Sequence, residues 1–551
     1  MIRSKTWQLM TATASAAAAL AAAGAARADQ AGCAKLQAQP IAASAIGLPT
    51  TGAVILSAEM VTTEKGEPEF CKVLGEIKPV DPAAPVIQFE VNLPSTWNGK
   101  MIQRGGGGLD GTVVTGLGPF SDDGPDTPTA LTRGYATFGG DSGHHYPPGV
   151  NPLAPGYSGP NPASFGMNRE SLVNFAYGSI KKTHDVAKTL VGLYYGKAPA
   201  KTFFVGSSEG GREALVAVQK FPNDYDGVVS EVPLLSFTGT NLDQYALWRA
   251  TVNGGWLSPA KVALLRDASA AACDKLDGLQ DGVVARYLTC DASAQTKALR
   301  CPGGTDTGET CLSDPQLAFV EKIRSPLRYG YPIAHGEMDY PAWPTGGEAY
   351  IPFLEAPFKP PADDKGRNSI AVNIARVFIF QDDSYVGELD MAAFKARILE
   401  ISGLFDMTDP DLSSFKGRGG KLILLEHGGD YTVNPGAAYH YYRSVLAKMG
   451  KASADQFVRM YVAPGLVHFG VGARADGSPL PNKFDVLGVL EGWTEHGVAP
   501  PEDLVLTSYD KGGGLVSSWP MCRYGAYPHF QGSGDSKQAA SFACKSMSVD
   551  R

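Results

Sequence analysis

Apolar residues in this chain gather in short runs that stop at glycine. Lys100-Met101-Ile102 runs toward Gly105, Tyr135 to Phe138 toward Gly139, Thr202 to Val205 toward Gly206, and Lys421 to Leu425 toward Gly428. Continuous runs, unlike strictly alternating ones, predict strands buried on both faces, as in a mostly parallel sheet. Phe457 to Val462 predicts a further strand. Helical periodicity lies between these runs. Its clearest stretches are Arg169 to Tyr195, closed by Gly196, and Ala437 to Met449, closed by Gly450; each glycine stands where a left-handed cap is favoured. Strands alternating with helices predict an α/β fold.

The texture changes between Leu235 and Phe405. Four cysteines, an Asp/Gly-rich loop and the proline-rich Pro357 to Pro361 fall here, with few parallel-strand signals. The expected organisation is a main domain from residues 29–234 and 406–551, with residues 235–405 inserted as a lid that has its own small core. No internal repeat is visible.

Composition and charge narrow the function classes. With 551 residues, 44% hydrophobic and 19% charged, the chain is too apolar to stay disordered and must bury a large core. Arg3 and Lys5 precede an Ala-rich run from Thr11 to Ala26, and Ala26-Arg27-Ala28 has the small-x-small form of a cleavage site, so residues 1–28 are expected to be a signal peptide. The mature chain, secreted or periplasmic, then starts at Asp29. Loss of Arg3, Lys5 and Arg27 takes the net charge from -8 to -11, which argues against nucleic acid as a partner. No later stretch is long and apolar enough to predict a membrane span. Export gives the cysteines their meaning: Cys33, Cys71, Cys273, Cys290, Cys301, Cys311, Cys522 and Cys544 form an even set without a CxxC pair, which predicts four disulfides. Spacing leaves about 105 connectivities open, although Cys273/Cys290 and Cys301/Cys311 invite local bridges. Gln30 puts a polar residue where a lipidation box needs an apolar one, so Cys33 reads as a disulfide partner.

The sharpest chemical signal is Gly206-Ser207-Ser208-Glu209-Gly210-Gly211, between the strand Thr202 to Val205 and a helical run from Arg212 to Lys220. This is GxSxG at a strand-to-helix turn, which would present Ser208 at the carboxyl edge of a sheet as a nucleophile. The amide of Glu209, at the positive end of the helix, can receive an oxyanion. A serine needs a base and the base an orienting acid, in the chain order Ser, Asp, His for this fold. His468, after the turn Ala463-Pro464-Gly465, is the best-placed base, because His427 comes early and His440 sits in a helical pattern. Asp430, after the strand Lys421 to Leu425 and Gly428-Gly429, is the expected acid. Gly105 to Gly108 end an early strand without the features of a phosphate loop; Gly108 or Gly107 would supply the second oxyanion amide.

Asp274, Asp277 and Asp281 put three carboxylates on one glycine-containing loop. Oxygen donors at that density suit a structural Ca²⁺, although the spacing is not that of an EF-hand, and a solvated turn is the alternative.

These strings together resemble the tannase and feruloyl esterase family, which includes mono(2-hydroxyethyl) terephthalate hydrolase. The resemblance rests on Gly105 to Gly108 with Asp110-Gly111, Ser208-Glu209-Gly210-Gly211-Arg212-Glu213, Thr408 to Leu412 leading into Gly419 to Leu422, Pro464-Gly465 before His468, Trp519 to Cys522, and Gly532 to Asp535. It implies an α/β-hydrolase core with a large inserted lid and the triad Ser208, Asp430 and His468. It also implies Ca²⁺ held by Asp274, Asp277 and Asp281 with the carbonyls of Leu279 and Val283, and the pairs Cys33/Cys71, Cys273/Cys290, Cys301/Cys311 and Cys522/Cys544. Two departures stand out. Members commonly join a cysteine just before the nucleophile to one just after the histidine, where this chain has Ser207 and Phe469, and Glu426-His427-Gly428-Gly429 replaces a His-Gly-Trp-Ala-like run. The expected activity is that of a secreted serine esterase acting through an acyl-enzyme on small-molecule esters of aromatic, phenolic acids. A terephthalate-monoester hydrolase, a peptidase or a non-catalytic binding module on the same fold are the alternatives.

Overall fold

The computed structural model describes residues 30–37, 39–62, 67–146, 159–349 and 369–547. The expected signal peptide and its cleavage site, and Pro357 to Pro361, lie outside them. The strands are β1 (Gly52–Val61), β2 (Phe70–Lys78), β3 (Ile87–Pro94), β4 (Lys100–Arg104), β5 (Ala136–Gly140), β6 (Lys201–Ser207), β7 (Gly227–Glu231), β8 (Leu327–Arg328), β9 (Asp339–Tyr340), β10 (Lys421–His427), β11 (Val458–Ala463), β12 (Asp503–Tyr509), β13 (Leu515–Arg523), β14 (Ala526–Phe530) and β15 (Phe542–Ser546). Eleven of them form one sheet in the order β1-β2-β3-β5-β4-β6-β7-β10-β11-β13-β12. The centre, from β5 to β11, is parallel. Both flanks are antiparallel. This is an α/β-hydrolase fold.

Burial explains why the centre was legible and the flanks were not. Every residue of β10 after Lys421 is buried, and its sequence opens on the unbroken apolar run Leu422 to Leu425, whereas β12 alternates buried with exposed or half-buried positions. Strand periodicity sends successive side chains to opposite layers. Phe204, Leu422 and Leu424 pack against the helices Glu209–Gln219 and Pro435–Met449, while Phe203, Ile423 and Leu425 pack with Leu487, Leu490 and Trp493 of the helix Val486–His496. Each such burial stabilises by about 1.5–3 kcal/mol, and truncating Phe204 to alanine would cost about 3–5 kcal/mol. The nucleophile strand β6 therefore sits mid-sheet, clamped on both faces.

The expected helix from Arg169 to Tyr195 is present, capped by the Asn168 side chain and closed by Gly196 at φ 72°. It is interrupted by one π turn, Asn174–Gly178. The helix after Ser208 begins earlier than expected, at Glu209.

Between β7 and β10 the regular structure of the described residues is mainly helical, with the short β8–β9 ribbon. Its apolar core is not closed on itself. Phe237, Tyr245, Phe378 and Phe405 share one cluster with Leu172 and Phe175 from before β6 and Tyr431 from after β10. The segment is thereby fastened to the carboxyl edge of the sheet, where Tyr431 follows Asp430. Four disulfides join Cys33–Cys71, Cys273–Cys290, Cys301–Cys311 and Cys522–Cys544, the set implied by the family resemblance. Among the described residues no helix is long and apolar enough to cross a membrane.

Candidate active site

Strand β6 delivers Ser208 into a left-handed conformation, φ 63° and ψ -121°. For a side chain other than glycine this costs about 1–3 kcal/mol, so neighbouring contacts must hold it. They do: Ser208 N–H donates to the carbonyl of Glu231 at 3.0 Å, and the Ser208 carbonyl accepts from Arg212 and Leu234 at 3.1 Å each. The flanking glycines are required by close approach. A Cβ on Gly206 would stand 2.2 Å from the carbonyl oxygen of Gly210, and one on Gly210 would stand 2.5 Å from that of Gly106.

The structure brings Asp430 and His468 to this serine. Gly428 and Gly429 donate to the carbonyls of Ala463 and Leu466, each at 2.9 Å, tying the end of β10 to the loop after β11. Asp430 is fully buried; its Oδ1 accepts from the amides of Thr432 at 2.7 Å and Val433 at 3.0 Å, and its Oδ2 lies 2.7 Å from His468 Nδ1. Because the carboxylate accepts, Nδ1 carries the proton, and Nε2 presents its lone pair to Ser208 Oγ at 2.7 Å. That is the geometry in which an imidazole removes a hydroxyl proton.

The glycine loop after β4 lies against the same turn. The amides of Gly105 and Gly106 are engaged, with the Val205 carbonyl and Glu213 Oε2, both at 3.0 Å. Those of Gly107, Gly108 and Glu209 have no acceptor among the described residues. Gly108 takes φ 60°, and a Cβ on Gly107 would meet nothing within 4 Å. The loop can therefore offer amides to a substrate oxygen without a blocking side chain.

The family model "Tannase and feruloyl esterase" matches residues 71–545. The chain belongs to that family. As a member it is a carboxylic ester hydrolase. It is 36% identical over 538 residues to an uncharacterized esterase of Agrobacterium fabrum, covering 93% of this chain and 92% of the relative. It is 28% identical over 543 residues to the mono(2-hydroxyethyl) terephthalate hydrolase of Piscinibacter sakaiensis, covering 87% and 85%. The crystal structure of feruloyl esterase B from Aspergillus oryzae superposes with a TM-score of 0.73 at 23% identity, covering 94% of this chain and all of that one, and shows the shared fold.

Sequence reasoning missed the polar groups beneath this family site. Arg212, wholly buried, donates to Glu209 Oε1 at 2.8 Å and to the carbonyls of Ala176 and Phe175, which lie in the π turn, at 2.6 and 2.9 Å. Glu213, which holds the Gly106 amide, accepts from Ser142 Oγ at 3.0 Å, and the Ser142 hydroxyl also reaches Asp110. Burial and the charges of Glu213 and Glu209 push the Asp110 carboxyl well above the usual carboxylate range, so it can carry a proton into this network. Its signals in the sequence are the strings Asp110-Gly111 and Glu209 to Glu213, which by themselves assign these side chains no role.

A second carboxyl pair, Asp122 and Glu231, borders a cavity of about 180 Å³ under the turn, lined also by Arg104, Gly105, Gly106 and Ser207. Burial pushes Asp122 up to about 6 and, with the charge of Asp122, drives Glu231 well up. Ser207 shares the lining of this cavity with Glu231, while Phe469 is 70% exposed with its ring edge-on to His468 at 5.3 Å. His427 and His440 sit apart from Ser208 in role: His440 Nε2 pairs with Glu337 at 3.0 Å, and His427 lies behind the triad.

Proposed function

We propose that the protein is an exported serine esterase that releases aromatic, phenolic acids from their esters through an acyl-enzyme. The observation that carries this reading is the 2.7 Å and 2.7 Å relay from Ser208 through His468 to Asp430, on a serine held at φ 63°. His468 Nε2 takes the proton as Ser208 Oγ attacks the ester carbonyl, and Asp430 holds the tautomer and stabilises the imidazolium. The amides of Glu209 and of Gly108 or Gly107 receive the oxyanion. The tetrahedral intermediate collapses, His468 returns the proton to the leaving alcohol, and water then releases the acid by the same steps. The phenolic class rests on family membership. A terephthalate monoester is the second substrate class, favoured by the 28% identical relative that hydrolyses one by name. Initial rates on methyl ferulate, methyl gallate and mono(2-hydroxyethyl) terephthalate separate the two. Faster turnover of a simple aliphatic ester than of all three would overturn the aromatic reading.

Export fits the same proposal: four disulfides are at home in an oxidising compartment, and residues 1–28 supply the expected signal. We further propose that the loop of Asp274, Asp277 and Asp281, with the carbonyls of Leu279 and Val283, holds a structural Ca²⁺. Burial and the charges of Asp281 and Asp274 push Asp277 up to about 7, and Asp281 Oδ2 is buried without a hydrogen-bond partner, which suits a hard cation. Competing partners are present too. Asp274 accepts from the amides of Asp281 and Gly282, and Arg474 Nε stands 3.3 Å from Asp281 Oδ2. Among the described residues no three ligating side chains converge on one point. Bound Ca²⁺ would screen the carboxylates from one another and stiffen the segment that Cys273–Cys290 closes.

A further inference from the structure

His427 lies directly behind the triad and belongs to none of its three roles. Its Nδ1 is 2.8 Å from the carbonyl oxygen of Val467, the residue before His468. A carbonyl only accepts, so the imidazole proton sits on Nδ1 and Nε2 is left with a lone pair. Nε2 faces Glu231 Oε1 at 3.5 Å. Glu231 in turn accepts the Ser208 amide on its backbone oxygen at 3.0 Å, and its carboxyl borders the same cavity as Ser207. One ring thus spans from the strand end that fixes Ser208 to the turn that carries His468. Val467 closes this turn tightly: its carbonyl also accepts from Gly470 at 2.8 Å, and its amide donates to Val471 at 2.9 Å. Burial lowers His427 to about 4, keeping the ring neutral, and Glu231 is driven up, so a carboxyl proton is available to face Nε2.

We propose that His427 is a positioning residue, a polar strap that sets the distance between Ser208 and His468 by joining the Glu231 carboxyl to the Val467 carbonyl. The strap occupies the ground between the nucleophile turn and the histidine loop, where Ser207 and Phe469 make no bond to each other. The proposal rests on the serine esterase reading above, because the distance it sets matters only if His468 serves Ser208. A misplacement of about 1 Å in such a pair can cost roughly 10²-fold in rate.

Two substitutions separate a strap from a space-filling ring. His427→Asn keeps an N–H at the position of Nδ1 and gives up volume and the Nε2 contact with Glu231; His427→Phe keeps the ring volume and gives up both polar contacts. Kinetics are read on p-nitrophenyl acetate, with the rate of fluorophosphonate inactivation and Tm measured alongside. The expected result is a kcat about 10- to 100-fold lower for His427→Phe with KM little changed, and a smaller loss, about 3- to 10-fold, for His427→Asn, which keeps the Val467 end of the strap and loses the Glu231 end. The opposite order, with Phe retaining turnover and Asn losing it, would make His427 a packing residue and overturn the proposal, as would equal kcat in both. Should His427→Phe fail to fold, His427→Asn decides alone: a folded Asn variant with kcat equal to that of wild type refutes the strap, because its Glu231 end is gone. Failure of the esterase reading is recognised separately, since the wild-type protein would then not react with the fluorophosphonate.

Discussion

Replacing Asp430 by asparagine tests the geometry at its least forgiving point. Asp430 Oδ1 accepts two backbone amides, at 2.7 and 3.0 Å, and Oδ2 accepts from His468 Nδ1 at 2.7 Å. In Asp430→Asn only one oxygen remains, and the amides of Thr432 and Val433 cannot face an NH₂ group without leaving three donors head to head. The oxygen therefore stays on the Thr432 side and the NH₂ turns to His468. Nδ1 must then accept, the imidazole proton moves to Nε2, and the lone pair that should meet Ser208 Oγ is gone. The shape of the site is kept while its chemistry is inverted. The expected loss is about 10⁴ in kcat near neutral pH, or about 5.4 kcal/mol of transition-state stabilisation. The assay is steady-state hydrolysis of a soluble aryl ester, with Tm confirming the fold. A kcat within tenfold of wild type at unchanged Tm would refute the tautomer argument and with it the assignment of Asp430.

Other predictions read different parts of the molecule. Gly107→Ala should leave Tm unchanged, since its Cβ meets nothing within 4 Å, yet slow turnover if it projects toward the substrate oxygen; Gly106→Ala, whose Cβ would stand 2.4 Å from Asp110, should lower both. Asp243, fully buried against Trp343 Nε1 at 2.8 Å, is raised by burial to about 7. Between about pH 4 and 7 the native state therefore holds a proton that the unfolded chain has lost, and wild-type stability falls across that window and levels off above it. Asp243→Asn should match wild type near pH 4 and exceed it above pH 7, by up to about 4 kcal/mol, as read by urea unfolding at both pH values; equal stabilities throughout would count against the buried proton. Chelation should lower the Tm of metal-loaded protein, because a ion bound by the native state alone stabilises it by mass action; an unchanged Tm in a sample with Ca²⁺ shown by elemental analysis would remove the calcium proposal. Replacing Cys522 and Cys544 together by serine should cost about 2–4 kcal/mol of stability.

What could be read from residues alone was set by burial and by local sequence. Strands β4, β6 and β10 are covered on both faces, so the sequence declares most of the centre of the sheet and the turn at Ser208, while β7, which ends in the polar Ser230 and Glu231, is not declared. His468 and Asp430 could be chosen because the fold orders its triad and glycines mark the strand ends. The flanking strands mix apolar with polar positions, half-exposed in β1, β2 and β12 and buried as Glu90 and Asn92 in β3, and give no such signal. The networks of Asp110, Glu213 and Arg212, and of Asp122, Glu231 and His427, join residues from four or five separate elements through buried polar atoms. No periodicity announces that kind of contact; only the folded backbone does.

Most directly, the account stands on a single alcohol made nucleophilic by its surroundings. Incubating the protein with a fluorophosphonate and mapping the adduct by mass spectrometry should place one phosphonyl group on Ser208, with labelling abolished in Ser208→Ala and slowed in Asp430→Asn. A folded wild-type protein that takes up no label, or takes it elsewhere while still cleaving esters, would contradict it.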